Sequence, residues 1–87
     1  MKKIDIEIMH DVGLHARPAS LFVQTASKYR SDINIIYNGD TKNAKSILGI
    51  LSLGVGKNAP ITITAEGDDE EEALEALSKL IESNFGE

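Results

Sequence analysis

The chain has no cysteine among its 87 residues. That excludes a disulfide framework and a thiolate metal site, and it fits a reducing cytoplasm. No apolar run approaches the ~18 residues of a membrane span. Met1-Lys2-Lys3 is basic, but charged residues interrupt the segment after it, so no secretory signal is expected. Cations are in short supply: nine Lys and Arg against 14 Asp and Glu leave a net charge of −5. This disfavours nucleic acid as a partner. Linkers, internal repeats and low-complexity tracts are missing as well. The expectation is one soluble cytoplasmic domain over residues 1–87. At 41% hydrophobic residues it can fold. A domain this small buries roughly two-thirds of its unfolded surface, so its core is modest.

The charge that is present is unevenly placed. Residues 1–46 carry seven Lys or Arg against five Asp or Glu, a balance of +2. Residues 47–87 carry two against nine, a balance of −7. The acidic run from Asp68 to Glu72 reads as the solvated start of a helix, where carboxylates suit the dipole.

Hydrophobic periodicity gives the elements. Ile4, Ile6 and Ile8 alternate with Asp5 and Glu7, a half-buried strand. Ala19, Phe22, Ala26 and Tyr29 fall at spacings of three and four, so a helix covers about 16–28. Ile33, Ile35 and Tyr37 form a second strand. Asn38-Gly39, both tolerant of positive φ, marks a hairpin into a third strand at about 40–43. Ser46 is a candidate N-cap for a short helix at about 47–52, which Gly54 and Gly56 close. Ile61, Ile63 and Ala65 alternate with Thr62 and Thr64 in a fourth strand. Gly67-Asp68-Asp69 is a turn and cap. Leu74, Leu77, Leu80, Ile81 and Phe85 then stripe a last helix at about 70–84. The order is βαββαβα, which predicts an α+β fold with helices on the apolar face of an antiparallel sheet.

Gly13-Leu14-His15-Ala16-Arg17-Pro18-Ala19-Ser20 carries the chemistry. Proline favours the first position of a helix, so His15 and Ala16 sit at or just before a helix start. Backbone N–H groups and the positive dipole end make such a start an anion site. Arg17 adds a charge-assisted grip on phosphate. A histidine at a phosphate site points to a phosphorylated imidazole. Neutral imidazole is nucleophilic near physiological pH. The positive surroundings should lower the His15 pKa and favour that form. A pH titration finding an elevated value would refute this.

This segment resembles the active-site loop of the HPr family, the histidine-containing phosphocarriers of the bacterial sugar phosphotransferase system. Ala44-Lys45-Ser46-Ile47-Leu48-Gly49-Ile50-Leu51-Ser52-Leu53-Gly54 resembles the same family's second signature, around its regulatory serine. The likeness runs over nearly the whole chain and fits the Gram-positive form. It implies an open-faced sandwich of four antiparallel strands with three helices on one face. It implies that His15 accepts phosphoryl from enzyme I, as a pros-phosphohistidine, and passes it to enzyme IIA components. Arg17 would stabilise the phosphate, with the backbone of Ala16 and Arg17 beside it. Ser46 would be phosphorylated by HPr kinase/phosphorylase. Its phosphoserine form would act with catabolite control protein A in carbon catabolite repression. Ser20, Lys45, Ile47, Leu48 and Leu51 would form the partner-binding patch. The chain would be a monomeric carrier rather than an enzyme, with no cofactor and no metal. Val12 departs from the family pattern, where many members carry a small polar residue.

Crowding of Ile47, Leu48, Ile50, Leu51, Leu53 and Val55 supports such a patch independently, since a short helix cannot bury them all. Leu48 and Leu51 could each be either core or patch. Other readings fit less well. A metal site from His10, Asp11 and His15 lacks a third strong ligand and a common zinc spacing. Gly54-Val55-Gly56-Lys57 fails the nucleotide-loop pattern, with Leu51 where glycine is needed and Asn58 where Ser or Thr is needed. An acyl carrier needs four helices, against which the alternation at 4–8 and 61–65 argues. The remaining alternative is a regulatory HPr-like or nitrogen-branch binding protein with little sugar phosphotransfer.

Overall fold

The computed structural model describes residues 1–8, 16–56 and 58–86. The elements, in chain order, are β1 (Lys2–Ile8), α1 (Ala16–Ala26), β2 (Asp32–Tyr37), β3 (Asp40–Asn43), α2 (Ile47–Ser52), β4 (Ala59–Glu66) and α3 (Glu70–Glu82). A 3₁₀ turn at Asn84–Gly86 comes after α3. This is the expected βαββαβα order.

The strands form one antiparallel sheet in the order β1-β4-β2-β3. Register sorts the side chains. Ile4 of β1 pairs with Ile63 of β4, which pairs with Ile35 of β2. One residue along, Asp5, Thr62, Ile36 and Thr41 form the opposite row. Because successive residues face opposite ways, the first row lies under the helices and the second on the open face. There the Thr62 hydroxyl donates to the Asp5 carboxylate.

Beneath the helices, Ile8, Ile33, Ile35, Ile61 and Ile63 are buried against Phe22 and Ala26 of α1, Ile50 of α2, and Leu77 and Ile81 of α3. α1 buries Pro18, Ala19, Phe22 and Ala26, and α3 buries Ala73, Leu74, Leu77 and Ile81. Both sets show the spacing of three and four that places one helical face on a sheet.

The differences from expectation lie at element ends. α1 stops at Ala26, two residues short. Lys28 N donates to Thr25 O and Tyr29 N to Ala26 O, so the end tightens to i→i−3 bonds. Tyr29 therefore lies beyond the helix, half-buried, not on its stripe. β1 and β4 are longer than their apolar cores, because ladder hydrogen bonds continue through exposed polar residues. α3 ends at Glu82, and Asn84 and Phe85 take φ of 58° and 57°. That reversal folds Phe85 back into the core, where it is 3% exposed. Phe85 thus belongs to the core, as the stripe predicts, but not to the helix. Asn38 and Gly39, at φ 54° and 85°, form the predicted turn.

Candidate phosphoryl site and regulatory turn

α1 opens at Ala16, the residue covalently next to His15. Ala16 and Arg17 are exposed. Pro18 is the third residue of the helix rather than the first. A proline is tolerated there because the N–H groups of the first turn have no i−4 partner to lose. Its ring is buried with Ala19, which fixes the turn against the body of the protein. Proline brings no N–H, so the backbone donors at this end are those of Ala16 and Arg17. The first turn holds no acidic residue, so no carboxylate of its own occupies this anion-attracting end. Ser20, one turn on, is half-buried and its hydroxyl accepts from Gln24 Nε2 at 3.4 Å. His15 and Val12 lie outside the described residues, as do His10 and Asp11 of the metal alternative.

The second motif folds as a capped turn. Asn43 organises it: its side-chain Oδ1 accepts from Lys45 N at 2.8 Å, and its carbonyl accepts from Ser46 N at 3.1 Å. Ser46 sits at φ −111° and ψ 111°, outside the helix. Its Oγ accepts from Gly49 N at 3.1 Å and its carbonyl from Ile50 N at 3.0 Å. This is an N-cap, as predicted. Gly49 makes room for it, since a Cβ there would stand 3.2 Å from Ser46 Oγ.

α2 divides its apolar residues. Ile50 is fully buried, and Val55 beyond the helix is 3% exposed. Leu48 is 77% exposed, with Leu51 at 39% and Ile47 at 37% beside it. The exposed three are those assigned to the patch, and Leu48 and Leu51 are surface residues. The Lys45 ammonium, also assigned to the patch, has an internal partner: it donates to the Tyr29 carbonyl at 2.8 Å.

A different arrangement stands at the start of α3. Glu70, Glu71 and Glu72 fill its first turn. Asp69 occupies the N-cap position but makes no side-chain cap bond. Its carboxylate instead crosses to the start of β2, accepting from Arg30 N at 2.8 Å, Ser31 N at 3.0 Å and the Ser31 hydroxyl. The hydroxyl bond from Ser31, then the Arg30 amide, holds the Asp69 pKa below its ordinary value. Gly67 allows the approach: a Cβ there would lie 2.6 Å from Ser31 Oγ. The depression lined by Lys2 and Gly67 to Glu72 is dominated by carboxylates, which disfavours phosphoryl there. Local pattern carries no sign of the Asp69 and Lys45 bonds, which join residues 38 and 39 apart in one case and 16 in the other.

Among the described residues no helix is long and apolar enough to cross a membrane. The family model described as the PTS HPr component phosphorylation site matches residues 2–83. A crystal structure of HPr-C-His from Thermoanaerobacter tengcongensis is 59% identical, with a TM-score of 0.98, over 100% of this chain and 98% of that one. The phosphocarrier protein HPr of Bacillus anthracis str. Ames is 50% identical, with a TM-score of 0.89, over 92% and 95%. Crh, the Bacillus subtilis catabolite repression protein solved as an intertwined dimer with a swapped domain, is 42% identical, with a TM-score of 0.77, over 97% of each chain. The family match over residues 2–83 and the 59% identity over the whole chain show that the chain belongs to the HPr family of phosphotransferase-system phosphocarriers.

Proposed function

We propose that this chain is a cytoplasmic phosphoryl carrier that takes its group from phosphorylated enzyme I on His15 and hands it to enzyme IIA components. The observation that carries the reading is the start of α1. The helix opens one residue after His15, with Arg17 exposed in its first turn and no carboxylate there to compete for an anion. Neutral imidazole Nδ1 attacks the phosphorus, the phosphoryl–donor bond breaks, and the leaving group on enzyme I takes the electron pair and then a proton. Backbone donors of Ala16 and Arg17, with the guanidinium, hold the phosphoryl oxygens at about 1 kcal/mol each at an exposed site. Such modest binding keeps the phosphoramidate transferable. In this reading the chain serves as a substrate of phosphotransferases rather than as an enzyme.

Ser46 is the regulatory site in this reading, phosphorylated from ATP by HPr kinase/phosphorylase. Phosphoserine adds about −2 charge at a position where a helix tolerates anions. It leaves the fold intact and repels acidic surfaces that would dock on Ile47, Leu48 and Leu51. The modified form is the one that would join catabolite control protein A. The likeness to Crh favours a second reading, a regulatory binding protein with an idle histidine and a dimeric state in place of the monomer. Intact mass and phosphorus NMR with enzyme I and phosphoenolpyruvate decide between them, using wild type and His15→Ala. One acid-labile phosphoryl on wild type alone supports the carrier. ATP-dependent labelling of Ser46 without any transfer to His15 supports the regulator.

A further inference from the structure

Lys45 is placed to do something other than meet a partner. Its stem runs from the residue before Ser46 to the turn that follows α1, where its ammonium donates to the Tyr29 carbonyl at 2.8 Å in a partly buried contact. Tyr29 lies three residues past Ala26, in a turn tied to the helix by Lys28 N on Thr25 O and Tyr29 N on Ala26 O. α1 has no basic residue in its own last turn, whereas α3 has Lys79 in its last turn. Lys45 brings a donor from another segment to the turn that follows α1. Its backbone is held as well, by Asn43 Oδ1 at 2.8 Å. One residue is therefore fixed at both ends, between the Ser46 turn and the turn that follows α1.

α1 is 11 residues long, a rod of roughly 16 Å at 1.5 Å per residue. Its opening turn carries Ala16 and Arg17, and α2 carries the exposed Ile47 and Leu48. A partner reading both surfaces at once depends on the setting of α1 against α2. We propose that Lys45 is a positioning residue: it docks the turn that follows α1 to the Ser46 turn and so sets the phosphoryl site in register with the apolar patch. The proposal deepens the carrier reading and rests on it.

Lys45→Met keeps the stem and removes the donor, and Lys45→Arg restores a cationic donor. Amide hydrogen exchange in the free protein and the kinetics of His15 phosphorylation by enzyme I, each across a salt series, are measured on both. In Lys45→Met, exchange at Lys28 and Tyr29 should accelerate about fivefold, the factor one ordinary net hydrogen bond supplies. KM should rise a few fold at every salt concentration, with kcat little changed. Lys45→Arg should return both to wild type. Unchanged exchange with a KM rise that fades at high salt would make Lys45 a partner contact and overturn the proposal. Accelerated exchange with unchanged transfer would reduce it to a tie between two turns and overturn it equally. If wild type accepts no phosphoryl, the carrier reading fails, and the exchange data still decide whether the Lys45 bond holds α1.

Discussion

The two long helices of this protein treat their N-termini in opposite ways. α3 fills its first turn with Glu70, Glu71 and Glu72, and α1 places no acidic residue in its own. Both ends carry the same partial positive charge from the backbone. At α3 the protein's own carboxylates satisfy that charge, and Lys2 and the N-terminal amine pair with them in turn, through Glu71 and Glu70. At α1 the first turn brings no carboxylate of its own, and in the carrier reading proposed above that charge serves an external anion. In that reading the same helix physics gives a self-neutralised end that serves stability and an end without its own first-turn carboxylates that serves phosphoryl transfer. The segregation of charge between the two halves of the sequence is this difference written in composition.

The sharpest way to break the contrast is to make α1 resemble α3. Ala16 is exposed and opens the helix, so Ala16→Asp introduces a carboxylate without disturbing the core. An acid at this position favours the helix by about 0.3–1 kcal/mol, so thermal stability should hold or rise. Acceptance of phosphoryl on His15 should fall on the order of tenfold, the cost of ~1.4 kcal/mol in the transition state. Opposite signs on two readouts separate an electrostatic site from a merely well-formed helix. Equal transfer by variant and wild type, monitored by intact mass, would remove the start of α1 from the mechanism.

A smaller effect is expected when α3 loses part of its internal neutralisation. Asp69 joins the α3 start to β2 through Arg30 and Ser31, and those hydrogen bonds hold its pKa below the ordinary value of 3.8. A carboxyl with a depressed folded pKa stabilises the protein above about pH 3.8 and loses that contribution as pH falls through the folded value. Glu71, whose pKa is lowered by its hydrogen bond to Lys2, acts in the same direction below 4.5. Asp69→Asn should lower the thermal midpoint at pH 7 and flatten the fall in stability between pH 5 and 2, roughly the window over which such groups titrate. Melting curves across that range check it. An unaltered slope would mean that other carboxylates govern acid unfolding. Phosphoryl transfer should not change, since the acidic end plays no part in it.

How much of this was legible in the sequence depends on the range of each interaction. Alternating isoleucines and the stripes of α1 and α3 are local patterns that located β1, β2, β4, α1 and α3, while the Asn38-Gly39 turn and the Ser46 cap located β3 and α2. Ser46 could be recognised as a cap because its acceptor role spans three residues. Crowding made it legible that some of the apolar residues around α2 are exposed, but not which: Leu48 and Leu51 could each have been core or patch, and the choice of Ile50 as the buried one depends on the angle at which α2 meets α1. Asp69 looked like an ordinary helix cap. Its side chain turns instead to Ser31, a neighbour that exists only once β2 lies beside the start of α3. Lys45 looked like a surface cation for the same reason. Phe85 fell on the helical stripe and is buried, but by a chain reversal at Asn84 that periodicity does not encode. His15, Arg17 and Pro18 were legible as a candidate phosphoryl motif, and the structure places Arg17 and Pro18 in the first turn of α1. The position of the proline, third in the helix and not first, was not legible, since the first turn tolerates proline at each of these places.

Ser46 gives the smallest of these effects and tests a third way to treat a helix start, by a neutral hydroxyl. Its Oγ accepts from Gly49 N. Replacement by Ala removes the acceptor and should cost about 1 kcal/mol, while Asp caps as well as Ser and should cost nearly nothing. The order for phosphorylation of His15 should be the reverse. Ser46→Ala alters no charge near the patch, so its transfer kinetics should match wild type. Ser46→Asp adds an anion beside Ile47 and Leu48, and transfer from enzyme I should slow. Urea unfolding and enzyme I kinetics on the two variants form a crossed pair, one less stable and fully active, the other stable and slow. Matching transfer rates for Ser46→Asp and wild type would mean that charge at the start of α2 is not read by the partner, and that regulation through this serine works by another route.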